Sequence, residues 1–494
     1  MMRSVLRAAM LTATLVGGLV PLAQADDFTW SKVDVDPANW GNSGNWSGPS
    51  GRFPDDPNEQ AIFNSPTNMA MPIQNAAMTN GLGQLTFNYM GWTVYVEDTL
   101  KLTSQTNYGY NAINCYATGG AGAVTFYPAI EMLGASQNIH TASGATFIVA
   151  NGGFIGSYAP IISSFSPTSA DTGAVRIDVA STVSSAFYLR QGTLLLRHSG
   201  ALGTSGSTVN LGGDSYVADG AFARLLTDAS GVSVSKDLRV RALADHNVVA
   251  TLGGNHSSGT SSFTGAITLD LTTRLTAAGT STVSFTNQVS GAGGIIKEGS
   301  GTLQLSHANS FSGDTAVNAG TLQLAAAGAL PSGTSVTLQN AAGVMLDLNN
   351  YSQQVASLGG GGGAGGAVRL GNGTLTVGSG NFAGVIQGGG GGGGLIKTGS
   401  GTLTVSGANT FTGGTAILQG YLLVNNATGA GLGSGGVTID GGGLGGYGIL
   451  GSALDDCDVT FGGGGGRIAP GTSAGRLTVY GDVTLSSLAA FDVQ

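Results

Sequence analysis

Between Ser163 and Asp245 lie Arg176, Asp178, Arg190, Arg197, Asp214 and Arg224, at spacings that let them line one face of successive turns of a coiled chain. Two chemistries use such groups. A polysaccharide lyase needs clustered acids with an Arg or Lys base close by. A glycosidase needs two carboxyl groups about 5–9.5 Å apart. Outside this stretch the supply is thin. The whole chain has five lysines, and residues 293–494 offer only Lys297, Lys397, Arg369, Arg467 and Arg476 as bases, far apart in sequence. Ionisable groups so dispersed lack the pairing that moves a pKa to a catalytic value. The sequence assigns no catalytic, cofactor-binding or metal-binding residue.

Other strings carry weaker signals. Gly471-Thr472-Ser473-Ala474-Gly475 has the G-x-S-x-G form of a nucleophile elbow, but no helix pattern follows it. His140, His198, His246, His256 and His307 show no metal-ligand spacing and read as isolated surface residues. Ile396-Lys397-Thr398 follows a glycine run, but Ile396 stands where a phosphate loop requires glycine. Asp34, Asp36, Asp55, Asp56 and Glu59, and again Asp455, Asp456 and Asp458, are acidic groups without the repeated glycine-aspartate pattern of a calcium coil, and read as solvated loops. Trp30, Trp40 and Trp46 are three of the four tryptophans; they read as a plug over an open end of the fold, with sugar stacking as the alternative. Cys115 and Cys457 read as two unpaired, partly buried thiols.

The elements that must position these groups follow from composition. Charged residues are 9% of 494, hydrophobic residues 41%, and glycine numbers 87. So much glycine without a three-residue period excludes collagen, and the apolar content excludes a fully disordered chain. A turn-rich β protein remains. Arg3 and Arg7, an apolar run over Ala8–Leu22 and Ala23-Gln24-Ala25 form a secretory signal, so the mature chain is expected to start at Asp26. No further transmembrane segment is read. Formal charge is −9, and −11 without the two signal arginines; no basic cluster remains for nucleic acid.

The chain repeats itself. Gly293–Leu324 and Gly393–Val424 agree at 18 of 32 positions, too many for chance, and Gly192–Leu202 is a shorter copy. Within and between the two long copies, Thr302-Leu303-Gln304-Leu305, Val336-Thr337-Leu338 and Leu375-Thr376-Val377 alternate with a period of two, which is the mark of half-buried strands. Helix is expected to be scarce. Short strands punctuated by glycine predict an all-β fold, a right-handed parallel β-helix with roughly 20 to 25 residues per rung. Leu303, Leu403, Leu305 and Val405 are expected inside it. Gly299, Gly399, Gly301 and Gly401 are expected at bends, and Asn309 and Asn409 in turns beside Phe311 and Phe411.

IKTGSGTLTVSGANTFTGGTA resembles the autotransporter-associated β-strand repeat, also called the passenger-associated transport repeat. Val344–Gly360 resembles the connector between such repeats, and Arg467–Val479 a closing APG-x-S-x-G-x-L-x-V pattern. Trp30, Asn39-Trp40, Asn45-Trp46, Pro54-Asp55 and Ala61-Ile62-Phe63 resemble the opening of these proteins. The resemblance implies a secreted or surface-displayed β-helical passenger or stalk, adhesive and without catalysis, with extracellular glycans or other cell-surface components as partners. A lyase or glycosidase built on the same coil is the alternative. Expected domains are a signal peptide (1–25), a Trp-rich cap (26–64), divergent rungs (65–290) and repeat-bearing rungs (291–494).

Overall fold

The computed structural model describes residues 27–30, 46–47, 60–63, 70–73, 84–88, 93–96, 99–103, 111–116, 121–133, 138–163, 173–203, 206–212, 220–242, 248–390, 392–471 and 476–492. They contain strands, turns and no helix. The signal peptide, Trp40, Asp34, Asp36, Asp55, Asp56, Glu59, Asp214, His246 and Ser473 lie outside the described residues.

The chain is a parallel β-solenoid. Thr282 pairs with Thr302 and Thr302 with Thr321, advances of 20 and 19 residues; Thr415 pairs with Val437, an advance of 22. These match the expected rung. Earlier rungs are longer: Leu85 pairs with Ile113 and Leu238 with Ile267, 28 and 29 residues on. Among the described strands every pairing is parallel except Trp46–Ser47, which lies antiparallel on Asp27–Trp30.

Two columns of strands merge into one 35-stranded sheet. Tyr188–Leu196 shows why. Its first residues pair with Ile161–Ser163 and Val209–Gly212, its last with Ala174–Ile177 and Phe222–Thr227. Between them Gly192 takes φ +100°, which a side chain disfavours, and the strand turns the corner without breaking. A third face is an eight-stranded sheet running from Ser233–Val234 to Ile386–Gln387.

The core is a set of stacks parallel to the coil axis. Alternation sends every second residue inward, and parallel register places like on like. Val283, Leu303, Leu322, Leu346, Val368 and Ile386 form one buried column. Phe263 and Phe285 stack at 4.9 Å with rings 5° from parallel. Leu303, Leu305, Leu403 and Val405 are all buried, as their alternation predicted. Gly299 and Gly399 adopt φ +73° and +64°, as bends require. Gly301 differs: its backbone is not left-handed, and glycine is needed because a Cβ there would lie 2.5 Å from the Ser281 carbonyl of the rung below.

Candidate functional site

The repeated string contains buried polar chemistry that its composition conceals. Lys297 and Lys397 are completely buried. Lys297 Nζ donates to the carbonyls of Glu298 (2.8 Å), Gly299 (2.7 Å) and Ala319 (2.9 Å). Lys397 repeats this one repeat later, donating to Thr398, Gly399 (2.8 Å) and Gln419 (3.0 Å). Each ammonium replaces lost water with three carbonyls from two successive turns, which is how a buried charge becomes tolerable. Burial pushes the Lys297 pKa down to about 8, against a smaller upward pull from the Glu298 carboxylate. Burial likewise lowers that of Lys397.

Asn309 and Asn409 correct the sequence reading in part. Phe311 and Phe411 are buried beside them. Neither asparagine takes a positive φ, which among described non-glycine residues occurs at Asn349 and Asn350. Instead their amides join three rungs. Asn309 Oδ1 accepts from the Val289 N–H at 2.7 Å, and Nδ2 donates to the Ala329 carbonyl at 2.7 Å. Asn409 does the same between the Ile386 N–H and the Gly431 carbonyl. Gln353 supplies similar contacts to both backbone groups of Leu330.

The arginines of the candidate enzymatic stretch are engaged locally. Arg176 forms a two-pronged pair with Asp178, both bonds 2.8 Å. Arg197 pairs with Asp228 at 3.1 Å. Arg190 donates to Asn138 at 3.3 Å, and Arg224 lies 4.5 Å above the Phe222 ring. Register places Arg176 level with Leu195, but Arg224 level with Thr193, two positions along. The two side chains therefore occupy different columns of the sheet.

The histidine expectation is corrected at two of the four described positions. His198 and His307 are exposed, but His140 and His256 are buried. His140 stacks obliquely on Tyr116 at 5.7 Å. His256 Nε2 is 2.9 Å from Ser261 Oγ, which is 2.7 Å from Thr227 Oγ1, and its Nδ1 is 2.9 Å from the Ser258 carbonyl. This network satisfies the buried polar groups of His256, Ser261 and Thr227. Cys115 and Cys457 are free and fully buried; burial pushes both thiols up, that of Cys457 to about 11. Gly471, at the head of the G-x-S-x-G string, donates its N–H to Gly446 of the preceding rung at 2.9 Å.

The most ordered polar chemistry on the outside of the coil, half-buried rather than freely exposed, is not singled out by the sequence. On the outer face of the eight-stranded sheet, register aligns Ser233, Ser262, Ser284, Gln304, Gln323, Asp347, Arg369 and Gln387 in one column. Ser284 Oγ donates to Gln304 Oε1 at 3.0 Å, Gln304 Nε2 to Gln323 Oε1 at 2.9 Å, and Gln323 Nε2 to Asp347 Oδ2 at 2.9 Å. Asp347 ends the run. Arg369 Nε donates to its Oδ1 at 3.0 Å, and Nη2 donates to Oδ2. Burial raises the Asp347 pKa, but hydrogen bonds from Arg369, Gln323 and the Asn349 N–H outweigh it and hold the carboxyl below the usual range. Beside this column runs a second, Thr260, Thr282, Thr302, Thr321, Met345 and Ala367. The T-x-S and T-x-Q strings at intervals of 19 to 22 residues were its signal.

Residues 295–324 and 395–424 match the family model of the Passenger-associated-transport-repeat, so the chain carries two such repeats. Over 103 residues, 21% of this chain, it is 50% identical to Adhesin BmaC autotransporter of Brucella suis biovar 1 (strain 1330). The match spans 3% of that relative's length. No solved structure matches.

Proposed function

We propose that this chain is part of an exported, surface-displayed passenger that acts as an adhesive rod and performs no turnover chemistry. The observation that carries the reading is the pair of passenger-associated transport repeats on a continuous solenoid, together with half-identity over 103 residues to an autotransporter adhesin. The local partners of Arg176, Arg190, Arg197 and Arg224 favour structure over catalysis, since each guanidinium already has an acceptor or ring beside it. Residues 1–25 serve as the export signal. Residues 26–64 cap the coil, a role supported by the antiparallel strand Trp46–Ser47 laid on Asp27–Trp30. Its partners are extracellular glycans or other cell-surface components.

Cells producing the protein should adhere to glycan-coated surfaces and lose much of that adherence when its gene is deleted. The purified chain should leave acidic and neutral polysaccharides uncleaved. Undiminished adherence in the deletion strain would remove the adhesive reading. Cleavage abolished by Arg190→Ala or Asp178→Asn would replace it with the lyase or glycosidase alternative.

A further inference from the structure

We infer that the outer face of the eight-stranded sheet is the adhesive surface, and that its ligand is an extended, uncharged, linear polysaccharide laid along the coil axis. This rests on the adhesive reading above and assigns it a place and a ligand class.

Three observations carry it. The first is the surplus of ordered hydrogen-bonding groups. Gln304 and Gln323 each use one amide N–H within the ladder and keep a second. The hydroxyls of Thr282, Thr302 and Thr321 take no side-chain or backbone partner among the described residues and stand beside that ladder, one per rung, about 4.8 Å apart. Held by register and by each other, these groups lose little further freedom on binding. A linear polymer with recurring hydroxyls meets them repeatedly, so that weak contacts sum.

The second observation is charge. From Ser233 to Gln323 the ladder carries no ionised group, and the Asp347 carboxylate is neutralised by Arg369. On a chain of net charge −9, such a face offers a polyanion no compensation for repulsion, whereas a neutral glycan meets none. The third is topology. The backbone groups of these strands are already paired to the rungs above and below. A peptide therefore cannot add as a further strand along this face, and only side-chain recognition is available.

The test is retention of the full chain on microcrystalline cellulose, on chitin and on insoluble polygalacturonate. Retention on at least one neutral polymer, and not on polygalacturonate, is expected. Thr302→Arg/Thr321→Arg should lower that retention tenfold or more, and so should the milder Gln304→Ala/Gln323→Ala. Thr438→Arg/Thr460→Arg, exposed on another face, should bind as the unaltered chain does. Met345 continues the threonine column, so bound glycan should slow its oxidation by peroxide, a readout that needs no substitution. Retention on no neutral polymer, retention on polygalacturonate alone, folded face variants that bind normally, or Met345 oxidation unchanged by glycan would each overturn the inference. A strain displaying the Thr302→Arg/Thr321→Arg chain that still adheres would remove this face and leave the proposed function standing.

Discussion

At the scale of single residues, the least expected groups are Lys297 and Lys397. Burying an ammonium is costly unless acceptors surround it, and each of these has three. Lys297→Met should leave the Glu298, Gly299 and Ala319 carbonyls without that donor, at roughly 1–3 kcal/mol for each one left unsatisfied. Amide exchange should accelerate over residues 295–324 and little elsewhere. The titration has a defined sign. Between pH of about 8 and the ordinary lysine value of about 10.4, the unfolded chain holds a proton that folded Lys297 has released. The Lys297 contribution to stability therefore rises with pH across that window. Melting curves of the unaltered chain and of Lys297→Met should diverge further as pH climbs from 7 to 10. A gap that stays constant across this range would mean that the folded ammonium stays charged. Sequence placed these lysines among dispersed bases because it gives types and spacings but not depth. The clue was their recurrence in one context, Ile-Lys-x-Gly-Ser-Gly, at an offset of 100 residues.

At the scale of elements, strands were legible and the contacts between rungs were not. Thr302-Leu303-Gln304-Leu305 announces its inward and outward faces by alternation alone, and Leu303 and Leu305 are buried accordingly. Which rung's backbone an asparagine reaches depends on the stacking of segments 20 residues apart, so Asn309 read as a turn former and proved a bridge between rungs. The polar ladder was hidden for the same reason: Gln304, Gln323 and Asp347 become neighbours only through register. Gly320 takes φ +62°, and a Cβ on it would lie 2.5 Å from the carbonyl oxygens of Gly299 and Gly301. Gly320→Ala should cost at least about 1 kcal/mol from the left-handed backbone alone, measured as a fall in the unfolding midpoint. Asp347 should contribute stability above its unfolded pKa of about 3.9 and lose it as pH falls through its lower folded value. The stability gap between the unaltered chain and Asp347→Asn should therefore close below pH of about 4, which melts between pH 6 and 2 would follow.

At the scale of the whole molecule, each rung touches mainly its neighbours, so stability is local and the chain behaves as a rod of linked units. Leu303→Asp would bury an unpaired charge in the column of Val283 and Leu322 at a cost of several kcal/mol. Proteolysis should then begin near residue 303 and spare distant rungs; resistance equal to the unaltered chain would contradict the packing. A rod of this kind keeps its faces regular over many rungs, which suits binding along a polymer better than enclosing a reacting bond. The proposed function requires that the rod be displayed outside the cell. Antibody raised against the purified chain should label intact, unpermeabilised producing cells, and brief external protease should remove that label while a cytoplasmic marker stays whole. Labelling that appears only after permeabilisation would contradict the account.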